Sequence, residues 1–185
     1  LIYHNLPQTQ VEKQLTLAAK YMTEMNYLEA QEAYTEALSI DEGSVRAYRG
    51  LADDYAAQGQ LDEAAEILHQ GYETTQSEIL LQNYCATVLN SVVEHVNEKT
   101  AGLDDIRSCF TVLESDPDHE SVRSVLESCV EQITVQEDTA SLMLDELDGT
   151  SDFDEYADVA EKLLGLAEKD SSYQEAAYRF IIPKA

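Results

Sequence analysis

Two stretches of the chain repeat the same pattern at a fixed offset of 34 residues. Side chains at matched positions recur one period later: Tyr21, Ala30, Tyr34 and Ala37 correspond to Tyr55, Ala64, Leu68 and Gly71. The pair Leu17 and Ala18 recurs as Leu51 and Ala52, and again as Cys85 and Ala86. A period of this length is typical of stacked structural units and not of a closed, enzyme-like core. The pattern therefore favours a binding scaffold, without naming what is bound.

The composition favours long helices. The chain has only 7 glycines and 3 prolines in 185 residues, and few helix breakers argue against an all-β fold. Its apolar content of 44% is sufficient for a packed core. The apolar spacing predicts helices over 10–24, 27–40, 45–58, 61–74, 78–98, 103–115, 119–135 and 153–169, with shorter segments at 138–147 and from about 172 to near Pro183. Between the second and third helices, Gly43 suits a left-handed cap and Ser44 an N-cap.

The two repeated stretches resemble tetratricopeptide repeats. The second carries Tyr48, Leu51, Ala52, Tyr55, Gly59, Leu61, Ala64 and Leu68, and the first carries Leu17, Ala18, Tyr21, Tyr27, Ala30, Tyr34 and Ala37. Small residues at Ala18/Ala30 and Ala52/Ala64 let two helix backbones approach closely, while Tyr and Leu side chains fill the holes beside them. The family's tryptophan is replaced by Gln14 and Tyr48, and its terminal proline by Glu42 and Gln76.

The resemblance predicts an all-α fold, an α-α superhelix of antiparallel helical hairpins with about 8–9 helices. We expect a single repeat domain over 1–185, with a flexible segment at 1–8. Within it, the repeats are assigned to 11–44, 45–78, an elongated third unit at 79–118, and degenerate units over 119–185.

The resemblance also implies where a partner binds, because the first helix of each such repeat lines a concave groove. The inward positions are Leu15, Ala19 and Met22, followed by the predicted groove residues Arg46, Arg49, Asp53, Asn83, Thr87 and Asn90. Arg46 and Arg49 share one helical face and could clamp a carboxylate of an extended peptide or partner helix. The alternative is that they neutralise Asp53, Asp54 or Glu42.

One ligand known for this family is excluded by the residues. The clamp that grips the C-terminal tails of heat-shock chaperones uses lysine, asparagine and arginine side chains. The matching positions here are Leu15, Ala19, Gly50, Leu80 and Tyr84, and none has the required chemistry.

The chain is strongly acidic, with 37 Asp and Glu against 11 Lys and Arg and a net charge of −26. Such a surface repels nucleic acid and anionic membranes, so neither is an expected partner. The charge indicates either a solvated surface or a preference for basic partners. Cys85, Cys109 and Cys129 show no paired spacing and are expected to be reduced core thiols, which favours a cytoplasmic location. Because the chain begins at Leu1, an anchored or secreted longer protein is left open.

No motif for catalysis, phosphate binding, a metal or a cofactor is present, and the helix-spaced tyrosines are expected to pack in the core. The leading hypothesis is a non-catalytic protein-interaction scaffold that binds a protein or peptide. The alternative is a structural or assembly module that self-associates, continues a longer repeat array, or serves as an accessory domain. A third class, an enzyme or small-ligand carrier, would require a deep pocket.

Overall fold

The computed structural model describes residues 7–136 and 153–181. Within these ranges every element of secondary structure is a helix. The helices are α1 (Pro7–Thr23), α2 (Tyr27–Ile40), α3 (Val45–Ala57), α4 (Leu61–Thr75), α5 (Glu78–Glu98), α6 (Leu103–Ser115), α7 (Val122–Gln136), α8 (Phe153–Lys169) and α9 (Gln174–Ile181), with a short 3₁₀ helix (Ser171–Tyr173) before α9. The all-α prediction is confirmed. The helix predicted at 138–147 lies outside the described residues.

The chain divides into two compact units, Leu1–Val88 and Leu89–Ala185, and the division falls within α5. In the first unit, α1 packs on α2, α2 on α3, and α3 on α4. In the second unit, α6 packs on α7, and α9 packs on both α7 and α8.

Small residues lie where the helices of the first unit cross, as the repeat pattern predicts. Ala18 and Ala30 are completely buried, and Ala52 and Ala64 are almost so. An alanine at a helix crossing lets the backbones approach closely, so the larger side chains around it can interdigitate. These four alanines belong to the two hydrophobic clusters of the unit.

Two tyrosine rings of the first unit pack directly against glycine backbones. A Cβ atom at Gly50 would lie 2.2 Å from Cε1 of Tyr34, and one at Gly71 would lie 2.6 Å from Cγ of Tyr48. Both distances are far below van der Waals contact, so each ring occupies the space that a side chain would fill. Tyr34 and Tyr48 are buried, which confirms that these two aromatic residues pack in the core.

Two local predictions in the first unit need correction, and a third, Ser44, holds for position only. Helix α1 begins at Pro7, before the predicted start at residue 10, because proline at the first helical position loses no hydrogen bond. Gly43 has no left-handed backbone; instead, the carboxylate of Asp41 accepts the Gly43 N–H at 3.1 Å and shapes the turn locally. Ser44 stands at the N-cap position of α3, but its side chain makes no capping hydrogen bond.

The helix predicted at 119–135 begins later, at Val122. Residues between Asp116 and Val122 form turns, with the His119 N–H donating to the Asp116 carbonyl at 3.2 Å. Proline at 117 and the polar residues after it favour this turn over an additional helical turn.

The core of the second unit contains aliphatic side chains, aromatic rings and two thiols. Its completely buried members include Ile106, Val112, Leu126, Val130, Val159 and Leu163. Cys109 and Cys129 are also completely buried, and Cys85 of the first unit is nearly so. All three are free thiols, and their burial confirms the prediction that they face the core. The Cys129 thiol and burial together raise the pKa of Cys109, so its thiolate is strongly disfavoured.

We predict that Gly71→Ala destabilises the protein, because the new Cβ would overlap Tyr48 and also lie 2.8 Å from Cδ1 of Leu80. Overpacking of this kind lowers the free energy of unfolding by about 1–3 kcal/mol, measurable by urea unfolding followed by circular dichroism. Gly43→Ala is the matched control in an exposed turn, where the change should stay within about 0.5 kcal/mol. Equal effects of the two substitutions would contradict the packing argument.

Candidate functional site

A small depression lies on the first unit where α1, α2 and α3 meet. Its volume is about 190 Å³, and it is lined by Leu15, Ala19, Tyr34, Arg46, Arg49, Gly50 and Asp53. Five of these residues were predicted to face inward from the sequence. The structure therefore brings Arg46, Arg49 and Asp53 of the predicted groove together around one concavity.

The two arginines of the depression differ in their contacts. Arg46 Nη1 lies 2.5 Å from Oε1 of Glu12, and both side chains are more than half exposed. This partner is neither Asp53, Asp54 nor Glu42, so the sequence-based alternative names the wrong acid for Arg46. Glu12 precedes Arg46 by one repeat period, and the pair bridges α1 and α3. An exposed pair of this kind is weak and can be opened by a competing carboxylate.

Arg49 is exposed and makes no ion pair with any of the residues that the structure describes. Its guanidinium therefore has its donors available at the depression. A planar guanidinium binds a carboxylate with two parallel hydrogen bonds, which makes arginine better suited than lysine to this task.

Tyr34 forms part of the depression, which the sequence did not predict, since its helical spacing indicated only core packing. Burial raises the pKa of the Tyr34 hydroxyl, and the nearby carboxylates of Asp53 and Asp54 raise it further, whereas Arg46 lowers it. The hydroxyl consequently keeps its proton at neutral pH and can donate a hydrogen bond. Its position depends on Gly50, since a side chain there would displace the ring.

Asp54, next to Asp53 in α3, is completely buried and faces away from the solvent. Its Oδ1 accepts hydrogen bonds from Gln31 Nε2 at 2.8 Å and from Gln58 Nε2 at 2.7 Å. Its buried Oδ2 has no hydrogen-bond partner. Burial raises the pKa of this carboxyl, and the two glutamine hydrogen bonds lower it in part. Through Gln31, Asp54 thus ties α2 to α3, at the cost of one buried carboxylate oxygen without a hydrogen bond.

The remaining predicted groove residues lie on α5. Asn83 and Thr87 are half-buried in the first unit and do not line the depression, and Asn90 is exposed in the second unit. Tyr84, also on α5, packs its ring against His69 with a centroid distance of 5.0 Å.

Most of the first unit is similar to a known protein family. Residues 21–85 match the family model described as Tetratricopeptide repeat. This part of the chain, called here the repeat segment, is therefore similar to tetratricopeptide repeats. The repeat segment contains Arg46, Arg49 and Asp53, and repeats of this family generally mediate protein–protein interactions. None of the curated proteins matches the chain in sequence.

The described part of the chain contains neither a cluster of metal ligands nor a helix that could span a membrane. Within 7–136 and 153–181, no three His, Cys, Asp or Glu side chains cluster as metal ligands would. Every helix in those ranges is too short or too polar to span a bilayer.

We predict that Asp54→Asn raises the free energy of unfolding, relative to the parent, more at neutral pH than at acid pH. A carboxyl whose pKa is raised by folding holds its proton more tightly in the native state, so it stabilises below its unfolded pKa. That contribution is lost as the pH rises through the folded pKa. Asparagine does not titrate, and the variant should gain free energy of unfolding relative to the parent between about pH 4 and about pH 7. Urea unfolding of both proteins at each pH measures the difference, and a constant difference would contradict the raised pKa.

Proposed function

We propose that the repeat segment is a non-catalytic scaffold that binds a protein or peptide ligand and holds one ligand carboxylate in the depression between α1, α2 and α3. The observation that supports this most directly is Arg49, an exposed guanidinium on a concave surface, without an ion pair among the described residues.

The rarity of basic residues supports the assignment. The chain has 37 acidic but only 11 basic side chains, yet two arginines line this one small depression. An acidic protein repels carboxylates everywhere except where cations are concentrated, so this location is favourable for an acidic group. Arg49 would be the primary contact, and Arg46 would join it by releasing Glu12.

The neighbouring groups refine the expected ligand. The Tyr34 hydroxyl can donate to the same carboxylate, while Leu15 and Ala19 provide an apolar wall for the adjacent side chain. Asp53, one helical turn after Arg49 in α3, repels a second acid and attracts a cation. We therefore expect a ligand with a single carboxylate flanked by an apolar and a basic residue.

The experiment is a selection of displayed peptides with free C-termini against the whole chain. Each carboxylate of an enriched peptide is then replaced by its amide, and the affinity is measured by isothermal titration calorimetry. Loss of the recognised carboxylate should weaken binding about tenfold or more, as expected for hydrogen bonds to a charged group. Arg49→Gln should cause a similar loss with the parent peptide and little further loss with the amide, because the two changes remove the same contact.

Lys13→Gln is the matched control, because Lys13 is an exposed cation of α1 that does not line the depression. It removes one positive charge, as Arg49→Gln does, and should leave the affinity nearly unchanged. If the double variant Arg46→Glu, Arg49→Glu binds the peptide as well as the parent does, or if no peptide is enriched, the proposal is wrong.

A further inference from the structure

The second unit contains a larger cleft between α6 and α8, with a volume of about 490 Å³. Helix α6 contributes Phe110, Leu113 and Glu114, and α8 contributes Lys162, Gly165 and Lys169. These residues recur at helical spacing, so each helix presents one continuous face to the cleft. A volume of this size is within the range of pockets that hold small organic molecules.

The floor of the cleft is apolar and aromatic. Phe110, Leu113 and Tyr173 line it while remaining almost completely buried, so their positions are fixed by the surrounding core. Rigid aromatic and aliphatic surfaces of this kind bind the hydrocarbon part of a ligand without a large ordering cost.

Gly165 keeps part of the cleft open. It lies in the interior of α8, where glycine is less favourable than alanine by about 0.5–1 kcal/mol. A Cβ atom at this position would meet nothing within 4 Å, so helix packing does not explain the glycine. Gly165 lines the cleft, so a larger side chain at this position would project into it.

The charged groups around the cleft favour an anionic head group at one place. Lys162 is paired with Asp158 at 3.3 Å and lies 5.9 Å from the centroid of Phe110. The Asp170 carboxylate accepts the Ser172 N–H at 2.9 Å, which lowers its pKa, so it stays ionised and its negative charge is only partly satisfied by this hydrogen bond.

The other two charged residues of the lining, Lys169 and Glu114, have no such partner in the described part of the chain. Lys169 is an exposed cation with no ion pair among the described residues, and Glu114 is an exposed acid. An anion gains from Lys169 and loses to Glu114, so the two residues should affect affinity in opposite directions.

We propose that this cleft binds a small amphipathic anion, with its hydrocarbon part on Phe110 and Tyr173 and its head group at Lys169. The site is separate from the depression of the first unit and does not depend on the function proposed for it. Its chemistry fits a medium-chain carboxylate or an aryl sulfonate equally well, because both combine an apolar body with one negative charge.

The test uses the whole chain and 8-anilinonaphthalene-1-sulfonate as a fluorescent probe, with octanoate as the competitor and octan-1-ol as its uncharged counterpart. We expect saturable binding of one probe molecule, displaced more effectively by octanoate than by octan-1-ol. Gly165→Met should lower the probe affinity at least about tenfold by filling the cleft. Ala157→Met is the control, since it places the same side chain on an exposed position of α8 outside the cleft.

The charge variants test the position of the head group. Lys169→Gln should weaken probe binding about two- to fivefold, and Glu114→Gln should strengthen it by a similar factor, as expected for partly exposed charges. Circular dichroism checks that each variant is folded. Gly165→Met should fold, because methionine forms helix better than glycine.

Absence of saturable binding would overturn the proposal, as would equal affinity of Gly165→Met and Ala157→Met. Unchanged affinity in both charge variants, or equal displacement by octanoate and octan-1-ol, would overturn the anionic specificity and with it the proposed ligand class.

Discussion

The packing of the first unit depends on two tyrosine rings that fill the space beside glycines of the neighbouring helices. Tyr34 lies against Gly50 and Tyr48 against Gly71, so each ring occupies the space that a side chain at the glycine would fill. A ring in this position fixes the distance between two neighbouring helices, because well-packed interiors leave little room for movement. The same contact that joins α2 to α3 also sets the floor of the depression. Stability and the candidate binding surface thus share one structural element.

Much of this unit follows from the sequence because its contacts repeat with the chain. Ala18 and Ala30 were predicted to lie at a helix crossing from their recurrence as Ala52 and Ala64, and all four are buried. Short-range features were less predictable. The turn before α3 is shaped by the side chain of Asp41, which accepts a hydrogen bond from the backbone N–H two residues later. This local hydrogen bond forms the turn without the left-handed glycine that the sequence pattern favoured.

The candidate sites show a second limit of sequence reasoning. Arg46 was expected to meet an acid close in sequence, but it meets Glu12, and only the repeat period itself could have suggested that partner. The role of Tyr34 at the depression was missed because a helix-spaced aromatic residue usually signals core packing alone. The cleft of the second unit lies between α6 and α8. These helices belong to the part of the chain where the 34-residue period is lost, so no sequence repeat indicates that they are neighbours.

The three thiols have a practical consequence for studying the protein in solution. Cys85 is in the first unit and Cys109 and Cys129 are in the second, and all are shielded from solvent. A thiol reacts with alkylating reagents as its thiolate, which burial suppresses until the surrounding helices separate. The rate at which each cysteine is alkylated therefore measures how often its own unit opens, so the native chain already carries internal probes that follow the two units individually.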